Sequence, residues 1–213
     1  MKKLFFRYFW FIIGIITNSF GIAFITKANL GTSPISSVPY VLSFRFPLSF
    51  GVLTFLLNAL FIVGEILLLR KNFQRHQYLQ ILVNVIFSAF VDISMIILTN
   101  FVPVHFFSQF ISLIIGCAIL ALGICIEVAP NVLMVPAEGL VKAIALTRGK
   151  KFGTVKIIFD TTIIVTAGCL SLLFFHKFQG LGIGTIISAY MVGKFVNIYH
   201  KHLHILKKIP TGA

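Results

Sequence analysis

The sequence predicts an all-α polytopic membrane protein made of two inverted repeats, each with three transmembrane helices plus one short re-entrant (broken) helix. Three observations lead there. The chain is 58% hydrophobic and 11% charged, with mean hydropathy +1.02. Residues 8–26, 46–64 and 93–126 contain no Asp, Glu, Lys or Arg, and about 20 apolar residues at 1.5 Å each cross a bilayer's hydrocarbon. Second, the polar interruption KANLGTSPISS at 27–37 has a counterpart farther along. A shift of 102 carries Gly14 to Gly116, Gly21 to Gly123, Asn29 to Asn131, Pro34 to Pro136, Gly51 to Gly153 and Asn58 to Asp160. Later the shift becomes 100, matching Ile86, Ser88 and Ala89 with Ile186, Ser188 and Ala189. Recurrence at a nearly fixed period marks an internal repeat. Third, the basic residues gather at the ends of apolar runs.

The elements follow in order. Span one is expected over 5–26, with Tyr8 and Trp10 as interfacial anchors. Residues 28–44 hold Gly31, Pro34 and Pro39, too many breakers for a full span. They suit a re-entrant helix with Ser33 as N-cap and Pro34 at its first position. Spans two and three are expected over 49–69 and 79–99, separated by the basic loop Arg70–Arg75. Span four, over 108–128, leads into APNVLMVPAEG, where Pro136 and Glu138 open a second short helix within a break at 129–146. Spans five and six are expected over 153–175 and 180–199. The organisation is thus a first repeat 1–100, a second repeat 101–200 and a basic cytoplasmic tail 201–213.

Charge sets the orientation. The net charge of +13 comes largely from four clusters: Lys2, Lys3 and Arg7; Arg70, Lys71 and Arg75; Arg148, Lys150 and Lys151; Lys201, Lys207 and Lys208. With six spans all four fall on one side and only Lys27, Arg45 and Lys177 on the other, as the positive-inside rule requires. An eight-span count would put Arg70, Lys71 and Arg75 outside. Nucleic acid is therefore not expected as a partner, and both termini are expected in the cytoplasm. Three spans per repeat is odd, so the second copy is inverted and the two broken helices enter from opposite faces. That arrangement in transporters places the solute between the breaks near the midplane.

The candidate site residues follow from the breaks and from buried charge. Asn29, Thr32, Ser33 and Pro34 offer hydroxyls and a helix N-terminus, a combination suited to a small anionic group. Asn131, Pro136 and Glu138 are the second break's contribution. Glu138 lies four residues before Lys142, and Lys156 four before Asp160, so each pair shares a helix face and is either scaffolding or a coupling charge. Asn58 is the repeat partner of Asp160. Glu65 and Glu127, at span ends, read as interfacial, and Asp92 with Lys194 as a pair across the two halves. Gly180, Gly182 and Gly184 read as close helix packing rather than a nucleotide loop. Cys117, Cys125 and Cys169 read as packing residues, and His200, His202 and His204 as a solvated tail. No catalytic arrangement and no metal-ligand spacing is legible, so neither an enzyme nor a cofactor is expected.

The first span with GIAFITKANLGTSPIS, then VPAEG and KFGTVKIIFD, resembles the YczE/YitT-like family of bacterial integral membrane proteins over roughly residues 8–200. The resemblance implies a small multi-pass protein of the bacterial cytoplasmic membrane and no particular substrate. The expectation is a transporter or channel-like permease for a small polar or anionic solute, with the lipid bilayer and that solute as partners and a homo-oligomer possible in addition. The alternative is a non-transporting membrane factor that supports another protein or a secretion system.

Overall fold

The computed structural model describes residues 2–70, 73 and 75–202. Among them are eight α-helices: α1 (Lys2–Lys27), α2 (Ser37–Ser43), α3 (Phe50–Leu69), α4 (Gln80–Ile97), α5 (Phe106–Val128), α6 (Pro136–Arg148), α7 (Phe152–Phe175) and α8 (Ile183–His202). Five of these regions, within α1, α3, α5 and α7 and over Gln77–Ile97, are long and apolar enough to cross a membrane. The molecule is an all-α, multi-pass membrane protein. The sixth expected span forms as α8, but its apolar stretch among the described residues, Ile183–Tyr199, is shorter than the others.

Helices α1 and α5 run antiparallel along a common seam. Gly14 faces Glu127, Asn18 faces Gly123, Gly21 faces Leu120 and Ile25 faces Gly116. Glycines seven apart return to one helix face, and without side chains they bring two backbones close enough for dispersion contacts to replace the hydrophobic effect that lipid removes. Any Cβ at these four positions would overlap the opposing chain. Outside this seam α4 packs on α1 and α8 on α5. Phe11, Ile15, Phe87, Val91, Leu113 and Cys117 fill the resulting core.

A second group joins α2, α3, α6 and α7. Here α3 packs on α6, α2 on α7, and each short helix also on the long helix that follows it. Val38 and Val41 of α2, Ala137 of α6, Phe61 and Ile163 share one apolar cluster, to which both short helices contribute. The outer faces of α3 and α7 expose Leu60, Leu67, Ile157 and Leu173, the aliphatic surface expected toward lipid.

Three expectations are corrected. Helix α2 starts at Ser37, after a turn at 34–36, so Pro34 heads the turn rather than the helix. Ser33 caps no backbone amide; its Oγ donates to Ser36 Oγ at 3.0 Å. Asp92 does not pair with Lys194. It instead accepts from the Gly51 amide at 2.7 Å and from Ser49 Oγ, satisfying donors at the start of α3 where the helix dipole favours a carboxylate. Lys194 Nζ lies 4.6 Å over the Tyr190 ring.

Candidate functional site

Both interruptions exist, and each borders a cavity. In the first, the chain leaves α1 through Asn29, at φ 61, and Gly31, at φ 126. The Gly31 conformation is one that side chains rarely adopt, and it lets the segment lie against the start of α8. There the Gly184 amide donates to Leu30 O at 2.8 Å, and a side chain at Gly182 or Gly184 would overlap that carbonyl. The close-packing reading of these glycines holds.

Non-helical backbone at membrane depth has to find partners in protein. Thr32 N–H donates to Thr185 Oγ1 at 3.2 Å, Ser188 Oγ donates to Thr32 O at 3.3 Å, and the Thr26 and Thr32 hydroxyls meet at 2.7 Å. Ser37 Oγ donates to Pro34 O at 2.6 Å. The Thr32 and Ser33 hydroxyls are thus buried and occupied within the protein, in a seam to which Thr185 and Ser188 contribute equally. A cavity of about 460 Å³ opens beside this break, between Asn29–Gly31, Tyr40 and the 177–183 connection.

The second break follows the sequence reading more closely. Val135 is the extended N-cap, Pro136 is at the first turn, and Gly149 at φ 59 closes α6 with Lys150 N–H donating to Ala145 O. Asn131 repeats the positive φ of Asn29, at 48°. Arg7 reaches across from α1 to donate to Pro130 O at 3.0 Å and Asn131 O at 2.9 Å. A cavity of about 290 Å³ lies beside residues 131–134, walled by Glu65, Gln77, Gln80, Gly139 and Lys142.

The carboxylates are arranged differently from the expectation. Glu65 and Glu127, near the C-terminal ends of α3 and α5, are buried within the protein; each is 1% exposed. Glu65 Oε1 accepts from Gln77 Nε2 at 2.8 Å and from Gln80 Nε2 at 3.5 Å. Glu127 Oε2 accepts from Asn18 Nδ2 at 2.8 Å. The second oxygen of each, with Gln80 Oε1, is buried and has no partner among the described residues. The Lys156–Asp160 pair forms at 2.8 Å. The Glu138–Lys142 pair does not. Glu138 is within electrostatic reach of Lys156, Asp160 and Glu127, whereas Lys142 is exposed and makes no ion pair among the described residues. A lysine near a helix's solvated side extends to water, which separates it from a half-buried neighbour one turn away.

Asn58 is 3% exposed and donates to Asn84 Oδ1 at 3.0 Å, while Asn84 Nδ2 donates to Phe55 O at 3.0 Å. It ties α3 to α4, and its repeat partner Asp160 makes a local ion pair. Residues that the sequence reading missed are Asn18, Gln80, Asn84 and Thr185, together with the burial of Glu65 and Glu127. Asn18 was legible in principle, since Gly14, Asn18 and Gly21 share one helical face. The side chains of His200, His202 and His204 lie outside the described residues.

Residues 5–201 match the model of a family of unknown function, DUF6198, and the chain belongs to that family. No curated protein and no solved structure matches it significantly.

Proposed function

We propose that this DUF6198 member is an inverted-repeat transporter or channel-like permease for a small polar solute. The observation that carries the reading is the α1–α5 seam. Shifting each of its contacts by 102 returns another contact of the same seam: Gly14 facing Glu127 becomes Gly116 facing Ile25, and Gly21 facing Leu120 becomes Gly123 facing Asn18. Antiparallel helices map onto one another in this way about a twofold axis perpendicular to them. The helix pairing agrees, since α1 on α4 corresponds to α5 on α8 and α3 on α6 to α7 on α2. The cavities correspond too. Asn29, Tyr40, Phe44 and Gln179 border the first, and their counterparts Asn131, Lys142, Leu146 and Gln77 the second.

An axis of that orientation turns the two cavities toward opposite faces of the bilayer. The basic residues beside α6 and at the start of α1 favour the cytoplasm for the second cavity and for both termini. The YczE/YitT-like resemblance is compatible with the family and suggests the bacterial cytoplasmic membrane. On this reading Asn29 and Asn131 stand at the two mouths, Pro34 and Pro136 shape the breaks, and Thr32 and Ser33 hold the first break rigid. Glu138 with the Lys156–Asp160 pair supplies charge able to follow solute movement. The Val38, Val41 and Ala137 cluster between the short helices acts as an apolar gate that passage would have to part.

That same apolar cluster favours the second reading, a factor that transports nothing. Purified protein in proteoliposomes decides between them. Time-dependent flux of a solute from a broad polar panel, abolished by a Val38→Cys/Ala137→Cys cross-link and restored by reduction, supports the permease. Absence of flux for every solute in a correctly inserted preparation supports the factor.

A further inference from the structure

We propose that the second cavity is a binding site for a small zwitterion, with its ammonium end on Glu65 and Gln80 and its anionic end on Lys142. The two buried acceptors without a partner on this side of the fold, Glu65 Oε2 and Gln80 Oε1, belong to residues that both wall this cavity of about 290 Å³. Glu65 is 1% and Gln80 2% exposed, so bulk water does not serve them. A buried carboxylate oxygen left unpaired is costly, and charge-assisted donors relieve that cost best.

The carboxylate is held in place. Gln77 and Gln80 amides fix Oε1, and the absent side chain of Gly139 makes room for Oε2, since a Cβ there would lie 2.6 Å from it. The unmet groups are both acceptors, so the ligand end must donate, and the carboxylate's charge selects a cation. An ammonium has three donors for these oxygens. A simple cation would, however, share the cavity with Lys142, which walls it and makes no ion pair to Glu65 among the described residues. A ligand with an anionic group at its other end turns that repulsion into attraction. The volume is near the lower end of the roughly 300–1,000 Å³ typical of small-molecule sites, which suits an amino-acid-sized solute.

This deepens the transport reading by naming a solute class, and a binding measurement separates the two. The detergent-purified full chain is titrated calorimetrically with alanine and γ-aminobutyrate, and with propylammonium and propionate as single-charge probes. At least one zwitterion is expected to bind about tenfold or more tighter than either single-charge probe. Glu65→Gln should weaken it by about tenfold or more, and Lys142→Gln should abolish its advantage over propylammonium. Should Glu65→Gln not fold, Gln80→Met removes one acceptor and exposed Lys142→Gln tests the other end. Propylammonium or propionate binding as tightly as both zwitterions overturns the proposal. So does zwitterion binding that survives these substitutions, or a folded protein that binds no probe. Binding without flux would remove transport and keep the site; flux of another solute without zwitterion binding would remove the site and keep transport.

Discussion

Asn18 of α1 donates to Glu127 of α5 at 2.8 Å, a hydrogen bond across the glycine seam between two backbones in near contact. The carboxylate is 1% exposed and its other oxygen has no partner among the described residues, so Asn18 supplies the only side-chain hydrogen bond found for Glu127 there. Removing it leaves this buried carboxyl with only the Val135 backbone as a hydrogen-bond donor, a loss of about 1–3 kcal/mol. Asn18→Ala should therefore lower thermal stability in detergent substantially. Asn18→Ala with Glu127→Leu should recover part of that loss, because the buried carboxyl is gone. Additive losses in the double-mutant cycle would show that the two side chains do not interact.

The glycines divide sharply by surroundings. Gly21 and Gly123 oppose backbone atoms of the partner helix, whereas Gly193, inside α8, has nothing within 4 Å of where a Cβ would stand. Gly21→Ala and Gly123→Ala should each separate α1 from α5 and sharply reduce membrane abundance. Gly193→Ala should hold abundance or raise stability by up to about 1 kcal/mol, since it only removes glycine's entropic penalty in a helix. Equal abundance for all three variants would mean that the seam is looser than described.

Orientation has a direct chemical test. In a background with Cys117, Cys125 and Cys169 replaced by Ala, single cysteines at Arg45 and Lys150 probe exposed positions at the ends of α2 and α6. The inverted arrangement requires a membrane-impermeant thiol reagent to label Arg45→Cys in intact cells and Lys150→Cys only after permeabilisation. Labelling of both from the same side would place the two short helices on one face and remove the inverted repeat.

Much of this architecture was legible because lipid makes demands that residue type alone reveals. Span length follows from charge-free runs, and the breaks follow from Pro34 and Pro136. Gly14, Gly21, Gly116 and Gly123 stood out as matches of the repeat, but that they line one seam, each facing a different residue of the opposite helix, shows only in the structure. The site was less legible. Glu65 sits five residues from Arg70, a spacing that suggests an interface, yet Gln77 and Gln80 of the next helical segment both donate to it, a contact that no periodicity encodes. Glu138 and Lys142 share a face by helical geometry, but the different burial of their two ends comes from α3 and α7, which the spacing does not contain. The hydroxyls of Thr32 and Ser33 looked free for a solute because their partners, Thr26 and Ser36, come from the fold of the break itself, and the Thr32 backbone is held by Thr185 and Ser188 of α8.

The Lys156–Asp160 pair separates a scaffold from a moving charge. Its side chains are 25% and 22% exposed and meet at 2.8 Å on one face of α7, with Glu138 of α6 in electrostatic reach of both. Asp160→Asn leaves Lys156 facing Glu138 alone, and breaking a buried pair destabilises more than replacing it whole. If the pair only neutralises itself, Asp160→Asn should lose abundance, and Asp160→Asn with Lys156→Gln should recover both abundance and solute flux. If the charge follows the solute, the double variant should insert at wild-type abundance and carry no flux, because nothing remains to respond to Glu138. The proposed function requires the second outcome, read as flux per inserted molecule in proteoliposomes. Recovery of flux to within about twofold of wild type, well under 1 kcal/mol in the barrier, would assign the pair to scaffolding and leave Glu138 as the charge to test next.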